Sequence, residues 1–410
     1  MSRPGEAAVE RRHRRRRERG AVPVTIRPAE RIRRLPRYLF AEIDRMKKEA
    51  AARGVDLISL GIGDPDTPTF PHIVQALAAA AVRPANHRYP DYEGLPSFRA
   101  AAASFVQRRF GVTADPETEV VSLIGSKEGI ANMAVAFVDP GDVVLVPDPG
   151  YPVYGIGTLF NGGTPYLMPL RAENHFLPDL RAIPEEVARR AKLMWLGYPN
   201  NPTAALASPQ FFADVVEFAT RHGIIVAHDN AYSEIYYDEA PPSFLATPGA
   251  DALGIEFHSL SKTYNMTGWR VGFAIGNREL IAGLGKVKTN VDSGVFQAVQ
   301  EAGIAALTGD QSPVAGMRAL YRERRDLLLA ALASLGLEAQ PVRGTFYVWV
   351  RVPRGFTSAS LTAKLLQEIG VVVTPGNGFG ESGEGYIRFS LTVATPRLAE
   401  AVERLRTLRL

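Results

Sequence analysis

Short, mostly apolar runs alternate along this chain with longer amphipathic stretches, and this alternation is the feature that most limits its possible fold. Each run has four or five residues, which is the length of a short strand. The stretches between the runs are long enough to form the helices that a parallel sheet needs as crossover connections. The runs lie at residues 120–124, 143–146, 193–196, 224–227 and 257–260. We therefore predict an α/β fold in which a mostly parallel sheet carries helices on both faces.

The ends of the chain differ from this central part. Strand-like runs at residues 344–350 and 386–389 lie between helical segments and predict a second, smaller α+β domain. A helix with apolar spacing is predicted at residues 39–46. The predicted boundaries are 1–25 for a disordered arginine-rich tail, 26–62 for an N-terminal arm with part of the small domain, 63–315 for a large cofactor-binding domain and 316–410 for the small C-terminal domain.

Charge is distributed unevenly along the sequence. The formal net charge is +4, but residues 1–40 hold thirteen arginines against four acidic residues, so the remainder has a net charge of −5. The densest run, residues 11–19, is compatible with an arm that binds nucleic acid or an anionic surface, with a solvated tail, and with a start codon placed too far upstream. No apolar stretch follows it directly, which argues against a secretory signal. The acidic remainder makes nucleic acid an unlikely partner of the body of the protein.

Composition excludes several classes of site. Without any cysteine the chain has no disulfide, no thiolate metal site and no catalytic thiol, which agrees with a reducing cytoplasm as its location. Its seven histidines do not form a His-Glu-x-x-His pair, so we expect no zinc. No unbroken apolar run reaches the roughly 18 residues of a membrane span, so we expect no membrane insertion.

Polar residues of the kind found in catalytic sites follow four of the predicted strands. Residues 125–129 follow the first run, residues 200–203 the third, Asp229 the fourth and the Ser261–Lys262 pair the fifth. The carboxyl ends of parallel strands meet at one edge of a sheet, and open α/β sheets bind their ligands there. We therefore expect these residues to form one site.

Lys262 is the candidate for a covalent bond to an aldehyde-bearing cofactor. Such a lysine needs an acid partner for the cofactor's ring nitrogen, a donor to its ring oxygen and a clamp for its phosphate. The chain offers a candidate for each, and together they describe a site for pyridoxal 5'-phosphate. We predict that Lys262 both holds this cofactor and moves the α proton of a substrate. A lysine in a Ser-Leu-Ser-Lys string alone is more often an ordinary surface residue.

Asp229 is the predicted partner of the ring nitrogen. A carboxylate at this nitrogen favours its protonated form and makes the ring an electron sink, although an aspartate at a strand end can also be a simple cap. Tyr232, which we count with Lys262 and Asp229 as catalytic, and Asn201 are predicted to donate hydrogen bonds to the ring oxygen. Tyr151 follows a Pro-Gly pair and is predicted to stack on the ring, unless it is a packing residue.

The cofactor's phosphate is predicted to bind where a Gly-Ser-Lys sequence precedes a helix-like run at residues 128–137. The free N–H groups and the dipole of a helix N-terminus attract an anion. An arginine eight residues after Lys262 supplies a cation. The predicted phosphate-binding residues are Gly125, Ser126, Lys127, Ser259, Ser261 and Arg270.

Arg388 lies within a strand-like apolar run, where an unpaired guanidinium would be costly. It therefore needs an anion. An internal salt bridge would serve, but we predict that Arg388 holds the α-carboxylate of a substrate through two parallel hydrogen bonds. Gly63 in a Gly-Ile-Gly-Asp-Pro sequence lets the backbone approach the same carboxylate, and Asn201 is counted with these substrate-binding residues.

These segments together resemble the class I and II aminotransferases of fold type I, from about residue 36 to the end of the chain. Within that class the closest resemblance is to the LL-diaminopimelate aminotransferases, carried by residues 124–129, 148–154, 228–234, 254–262 and 292–303. The resemblance implies that pyridoxal phosphate carries an amino group between amino acids and 2-oxo acids. For the narrower family it implies transfer from L-glutamate to tetrahydrodipicolinate, which gives LL-diaminopimelate for lysine biosynthesis.

The resemblance also implies a homodimer in which two subunits share each site. It places Tyr89 on the phosphate bound by the neighbouring subunit, and residues 290–293 at the interface. Glu93 and Lys127 are predicted to bind the distal ammonium and carboxylate of a substrate charged at both ends, but both are equally compatible with solvated loop charges.

Two departures from the family pattern leave other activities open. Ala204 stands where the family usually has a glycine, and its Cβ would strain the turn if φ is positive. Ser390 stands where the narrower family often has a small apolar residue. The alternatives are an aminotransferase for aspartate, alanine, methionine or an aromatic amino acid, a pyridoxal phosphate-dependent β-lyase, and a DNA-binding regulator that uses the arginine-rich arm.

Overall fold

The computed structural model describes residues 26–33, 35 and 39–409, apart from the side chains of residues 39–44. The chain divides into two compact units, residues 1–36 and residues 37–410. The predicted disordered tail at residues 1–25 lies outside the described residues. In the first unit, residues 26–33 are exposed, and the short helix α1 (Glu30–Arg33) contains an ion pair between Arg33 and Glu30. The finer domain boundaries that we predict within the second unit stay predictions.

The second unit alternates helices and strands for most of its length. Its helices are α2 (Leu39–Ala52), α3 (Pro71–Ala81), α4 (Pro96–Phe110), α5 (Ser126–Phe137), α6 (Val153–Phe160), α7 (Glu185–Ala188), α8 (Pro209–His222), α9 (Leu260–Thr263), α10 (Arg278–Val291), α11 (Gln297–Thr308), α12 (Ser312–Ser334), α13 (Ser358–Ile369) and α14 (Thr395–Arg406). Its strands are β1 (Ile58–Ser59), β2 (Val120–Leu123), β3 (Val143–Asp148), β4 (Thr164–Pro169), β5 (Ala191–Gly197), β6 (Ile225–Asp229), β7 (Gly254–Ser259), β8 (Gly272–Gly276), β9 (Tyr347–Arg351), β10 (Val371–Val372), β11 (Thr374–Pro375) and β12 (Tyr386–Ser390).

The central sheet has seven strands in the order β2-β8-β7-β6-β5-β3-β4. All neighbouring strands are parallel except β8, which runs antiparallel to both β2 and β7. The prediction of a mostly parallel sheet is therefore confirmed, and each of the five predicted runs contains part of a strand. Because β8 reverses direction between β7 and β2, the carboxyl ends of β2, β5, β6 and β7 all lie at one edge of the sheet.

Alternation of side chains along the strands divides the core between the two faces of this sheet. Val121, Val144 and Trp195 point to the face covered by α5 and α10, where Ile130 and Leu284 pack against them. Their sequence neighbours point to the opposite face, in the larger cluster that includes residues of α4, α8 and α11. Both faces are buried, which explains why the central strands read as nearly continuous apolar runs.

Local sequence signals set the ends of several helices. Ser208 accepts a hydrogen bond from the amide of Phe211 at the start of α8, and Gly223 with φ of 67° ends that helix. Thr357 forms a reciprocal capping box with Ser360 at the start of α13, and Gly370 with φ of 66° ends it. These signals hold the long connections between strands in place.

Two smaller sheets accompany the central one. Strands β11, β12 and β9 form an antiparallel sheet, and β1 pairs with β10 in parallel. The N-terminal segment at β1 is thereby joined to the C-terminal part of the chain. The 23-residue α12 packs against α14. Among the described residues, no helix is both long enough and apolar enough to cross a membrane.

Candidate active site

A cavity of about 710 Å³ lies at the edge of the central sheet where β5, β6 and β7 end. Most of the residues that the sequence singles out line it. Their shared position follows from the sheet order, since residues that are far apart in sequence follow strands that end side by side. The predicted residues that line the cavity are Gly63, Ser126, Lys127, Tyr151, Asn201, Asp229, Tyr232, Ser259, Ser261, Lys262, Arg270 and Arg388.

Lys262 lies in the short helix α9, which begins directly after β7. Ser259 caps this helix by accepting a hydrogen bond from the amide of Ser261 at 3.2 Å. The Nζ atom of Lys262 donates to the carbonyl oxygen of Gly63 at 2.9 Å. Burial lowers the pKa of Lys262 to about 8, because desolvation disfavours the ammonium form. A lysine with this pKa has a substantial neutral fraction near neutral pH and can act as a nucleophile or base.

Asp229 is the last residue of β6 and lies between the ends of two neighbouring strands. Its register partners are Gly197 in β5 and Phe257 in β7. One carboxylate oxygen, Oδ2, accepts a hydrogen bond from the hydroxyl of Tyr154 at 2.9 Å. The other oxygen, Oδ1, is buried without a partner among the described residues. Burial raises the pKa of Asp229, and the hydrogen bond from Tyr154 opposes this shift.

Tyr154 was missed as a site residue in the sequence analysis. It lies in the first turn of α6, and its ring stacks on that of Trp195, with centroids 4.8 Å apart and an interplanar angle of 11°. This stacking directs its hydroxyl towards Asp229. The signal was present in the Asp-Pro-Gly-Tyr-Pro-Val-Tyr sequence at residues 148–154, where the second tyrosine follows Tyr151 by three residues.

We expect Tyr154→Phe to raise the dissociation constant of the cofactor and lower kcat, each by about tenfold, because one hydrogen bond to a charged group is lost. The pKa of Asp229 should rise further when this donor is removed. The matched control is Tyr198→Phe, which removes another buried hydroxyl, bonded to the carbonyl of Phe176 at 2.8 Å, without touching Asp229. Equal effects of the two substitutions on cofactor binding would contradict this role for Tyr154.

Arg388 lies in β12 and is only 3% exposed. Among the described residues its guanidinium donates to the amide oxygen of Asn201 and to the carbonyl oxygen of Gly61, each at 2.7 Å, rather than to a carboxylate. Its Nε atom is buried without a partner there, and burial lowers its pKa. The guanidinium lies 4.0 Å from the ring centroid of Tyr347 and 4.6 Å from that of Phe379. A buried cation held by neutral groups can accept an anionic ligand.

Tyr347 and Phe379 were also missed by the sequence analysis. Tyr347 connects two predicted residues, because its hydroxyl lies 3.0 Å from that of Tyr232 while its ring packs against Arg388. Both residues line the cavity. An aromatic residue inside a strand reads as core from sequence, so the pattern contained no signal for this contact.

The predicted phosphate cradle lies at the N-terminus of α5. Gly125 precedes the helix with φ of 73°, a left-handed conformation that favours glycine. The guanidinium of Arg270 lies directly against it, where a Cβ atom would otherwise be. Arg270 is held by a hydrogen bond from Nη1 to the carbonyl of Thr267 at 2.8 Å. The amide of Glu128 donates to the carbonyl of Gly125 at 3.1 Å, whereas those of Ser126 and Lys127 precede the first intrahelical acceptor and are available to an anion.

Three predicted residues do not line this cavity: Gly125, which directly precedes the lining residue Ser126, and Tyr89 and Glu93, which lie away from it. Tyr89 is 85% exposed, and Glu93 borders a separate surface depression next to Val120 and Arg278. The resemblance places Tyr89 at the cavity of a neighbouring subunit. The distal-group role of Glu93 stays a prediction.

The two departures from the family pattern have clear local settings. Ala204 has φ of 62°, so it adopts the left-handed conformation that glycine occupies without strain. It is fully buried, and its amide donates to the carbonyl of Asn200 at 2.9 Å. The hydroxyl of Ser390 is buried and lies 2.7 Å from that of Thr392. Neither residue lines the cavity.

Comparison with known proteins identifies the family. The family described as Aminotransferase class I and II matches residues 55–405. The chain belongs to this aminotransferase family. It is 57% identical to the LL-diaminopimelate aminotransferase of Aquifex aeolicus, over 93% of this chain and 99% of that protein. It is 59% identical to the protein of the same name from Moorella thermoacetica, over 92% and 97% of the two chains.

A solved aminotransferase-like structure has the same fold. The apo-BacF structure from Bacillus subtilis has a TM-score of 0.91 and 41% sequence identity, and the match covers 94% of this chain and 99% of that one. Aminotransferases of this class depend on pyridoxal phosphate. Two features of the cavity fit this group. Among the described residues the buried Oδ1 of Asp229 has no donor, and Gly125 brings the start of α5 directly against the guanidinium of Arg270. The neutral partners of Arg388 leave its charge for an anionic substrate.

Proposed function

We propose that this aminotransferase is an LL-diaminopimelate aminotransferase. It would transfer an amino group from L-glutamate to tetrahydrodipicolinate and form LL-diaminopimelate and 2-oxoglutarate for lysine biosynthesis. The observation that carries the proposal is the identity of 55% to 59% with curated LL-diaminopimelate aminotransferases across at least 92% of this chain. The lack of cysteine agrees with a cytoplasmic location.

The charges of the cavity support a substrate with more than one carboxylate. The side chains that line it include five basic residues, Lys47, Lys127, Lys262, Arg270 and Arg388, and one acidic residue, Asp229. This excess of basic over acidic side chains favours ligands with several anionic groups, such as a phosphate together with the two carboxylates that L-glutamate, 2-oxoglutarate and LL-diaminopimelate each carry.

In the proposed mechanism the protein holds the cofactor and moves protons. Asp229 would pair with the cofactor's ring nitrogen, Tyr232 and Asn201 would donate to its ring oxygen, Tyr151 would stack on the ring, and the α5 cradle with Arg270 would hold its phosphate. Arg388 would bind the substrate α-carboxylate. When bound, pyridoxal phosphate supplies an aldehyde that bonds to amines and a ring that accepts electrons from the substrate α-carbon.

Lys262 would take the proton from the substrate α-carbon and deliver it to the C4′ carbon of the cofactor, and it would move a proton in the opposite direction during the reverse transfer. Its neutral form can do so because burial lowers its pKa. Asp229 would fix the cofactor ring at its nitrogen, and Arg388 would fix the substrate at its α-carboxylate. The proton would therefore move only a short distance between fixed atoms. The aromatic rings of Tyr347 and Phe379 reduce the access of water to the guanidinium of Arg388 and strengthen its hold on an anion.

The lowered pKa of Lys262 gives a testable pH dependence. Only the neutral amine bonds to an aldehyde, so the cofactor-free protein should bind pyridoxal phosphate faster as pH rises, with a midpoint near pH 8. Below this pH the ammonium form predominates and the rate should fall. Stopped-flow absorbance of the lysine-bound cofactor measures this rate. A rate that still rises towards the ordinary lysine pKa of about 10.4 would contradict the burial argument.

We also propose that the protein acts as a homodimer. Tyr89, Tyr92 and Phe296 are exposed aromatic residues on adjoining loops, where the side-chain amide of Gln297 donates to the carbonyl of Arg88 at 3.1 Å. Such an exposed apolar patch is typical of an interface. In a dimer this patch would bring Tyr89 towards the phosphate of a neighbouring cavity. Sedimentation equilibrium tests it, since a monomer at assay concentrations would contradict shared sites.

The experiment that tests the proposed function is an assay of the purified protein with LL-diaminopimelate and 2-oxoglutarate. We expect L-glutamate to form at a rate well above that obtained with L-aspartate, L-alanine, L-methionine or aromatic amino acids as donors. Preference for one of those donors would keep the transamination chemistry and reject the substrate. Release of pyruvate and ammonia from a substrate with a β leaving group, without an added 2-oxo acid, would instead identify a lyase.

A further inference from the structure

The segment at residues 61–66, which follows β1, presents three successive carbonyl oxygens to side chains around the cavity. The carbonyl of Gly61 accepts from Arg388 and from the hydroxyl of Thr374, both at 2.7 Å. The carbonyl of Ile62 accepts from the hydroxyl of Thr392 at 2.8 Å. The carbonyl of Gly63 accepts from Lys262 at 2.9 Å. One short segment therefore contacts both cations on which the proposed reaction depends.

An ion pair fixes the far end of this segment. Arg324, on α12, donates from Nη1 and Nη2 to the two carboxylate oxygens of Asp66 at 2.6 and 2.9 Å. The side chain of Arg324 is 3% exposed and that of Asp66 is 21% exposed. Two parallel hydrogen bonds define both the distance and the orientation of the carboxylate, which a single contact does not. Asp66 does not line the cavity, so this pair does not touch the reacting groups itself.

Arg324 also holds the backbone that faces the segment. Its Nη1 atom donates to the carbonyl of Leu391 at 3.0 Å, and its Nε atom donates to the hydroxyl of Thr395 at 3.2 Å. Leu391 precedes Thr392, which holds Ile62. The guanidinium of Arg324 therefore binds both Asp66, at the end of the 61–66 segment, and the backbone just after β12. That backbone in turn leads to Thr392, which binds Ile62 in the middle of the segment.

The packing leaves this segment little freedom to shift independently of the carboxylate site. A Cβ atom at Gly63 would overlap the hydroxyl of Tyr347, whose ring packs against Arg388 at 4.0 Å. A displacement of Gly63 would therefore either break its hydrogen bond with Lys262 or push the ring of Tyr347 that packs against Arg388. The position of Arg388 thus depends on the position of Asp66, which ends the segment.

We propose that the Asp66–Arg324 ion pair is a positioning device for the substrate's α-carboxylate. It fixes the 61–66 segment so that the carbonyl of Gly61 holds Arg388 in the orientation that amino-acid substrates require. This proposal rests on the proposed transamination and on the assignment of Arg388 to the α-carboxylate. It does not depend on which amino acid the enzyme prefers, since all of them carry that group.

The chain supplies a matched control in a second bidentate pair, Asp56–Arg397. Arg397 donates to the two carboxylate oxygens of Asp56 at 2.9 and 3.0 Å, and Asp56 lies shortly before β1 as Asp66 lies shortly after it. Like the first pair, it joins the N-terminal segment to the C-terminal part of the chain. Neither Asp56 nor Arg397 touches the 61–66 segment or lines the cavity.

The test compares Asp66→Asn with Asp56→Asn in the cofactor-loaded enzyme at a temperature well below the melting point of both. We expect Asp66→Asn to raise the KM of amino-acid substrates about tenfold with kcat changed by less than about threefold, because the carboxylate site is displaced while the reacting groups remain. For an amine that lacks the carboxylate, kcat/KM should change by less than about twofold. Asp56→Asn should leave both kinds of substrate within about twofold of wild type.

A second variant covers the case in which Asp66→Asn does not fold. Arg324→Lys keeps the positive charge but cannot bind both carboxylate oxygens in the same plane, and it should give the same selective rise in KM. Asp66→Glu, which retains the charge, should recover part of the loss. An unchanged KM in the folded variants, or equal losses for the amino acid and the amine, would overturn the proposal. A wild-type enzyme that transaminates no amino acid would instead reject the proposed function.

Discussion

Lys262→Ala should lower kcat for transamination by at least about 10⁴-fold while the protein still binds pyridoxal phosphate. The substitution removes the side chain that we propose both bonds to the aldehyde and moves the α proton. Asp229, the α5 cradle and Arg270 remain to hold the cofactor. We do not expect the cofactor-free protein to lose stability, because a buried lysine whose pKa is lowered favours unfolding at neutral pH.

Lys262→Arg is the matched control for this prediction. It keeps a positive charge at the same position, but a guanidinium stays protonated at all accessible pH values and cannot act as a base. We expect it to be as inactive as Lys262→Ala in single-turnover and steady-state assays. Turnover by either variant at more than about one tenth of the wild-type rate would contradict the role of this residue.

Arg388→Gln should lower kcat/KM for amino-acid substrates by about 10²-fold to 10⁴-fold. This range corresponds to the loss of two charge-assisted hydrogen bonds of about 1.5 to 3 kcal/mol each. The effect should be large because the guanidinium is buried and has only neutral partners among the described residues. Steady-state kinetics with L-glutamate and with LL-diaminopimelate should give similar losses, since both share the α-carboxylate.

An amine that lacks the α-carboxylate shows whether Arg388→Gln weakens carboxylate binding or alters the structure of the whole cavity. It should react with wild type and Arg388→Gln at rates within about threefold of each other. Arg388→Lys keeps the charge without the two parallel hydrogen bonds and should fall between the two proteins. Equal losses for the amine and the amino acids would show that Arg388 supports the structure of the cavity rather than the substrate.

Sequence reasoning reached the architecture because central strands and catalytic loops have strong local signals. It missed β4 and β8 for physical reasons. Strand β4 lies at the edge of the sheet, carries two prolines and is largely exposed, so it lacks an apolar run. Strand β8 has a glycine at each end, and the antiparallel pairing that places it between β2 and β7 is not encoded in its own pattern.

Site residues could be predicted from sequence where a particular chemical role requires a particular residue type, such as a lysine that bonds to an aldehyde. Lys262 and Asp229 follow strands whose carboxyl ends lie at one edge of the central sheet, and Arg388 reaches the same cavity from the smaller antiparallel sheet. Tyr347 and Asp66 could not be found in this way, because their contacts depend on distances set by tertiary packing. Tyr154 stood in a recognisable motif, but its role depends on the ring stacking that directs its hydroxyl to Asp229. Glu93 borders a separate depression in this chain, so its contact with a substrate stays a prediction.

Ala204 illustrates a prediction that depended on a backbone angle. The sequence analysis stated that an alanine in place of glycine would be strained if φ is positive, and the structure gives φ of 62°. A single sequence cannot supply this angle. In this conformation the methyl group of Ala204 is buried, and its amide donates a hydrogen bond to the carbonyl of Asn200.

The measurement that tests the central claim most directly is the absorbance of the cofactor-loaded enzyme, titrated separately with LL-diaminopimelate, L-glutamate, L-aspartate and L-alanine. The account predicts that the band of the lysine-bound cofactor disappears with LL-diaminopimelate and L-glutamate and persists with the other two. Loss of the band only with L-aspartate or L-alanine would contradict the proposed substrate. Absence of any such band after incubation with pyridoxal phosphate would contradict the roles assigned to Lys262 and Asp229.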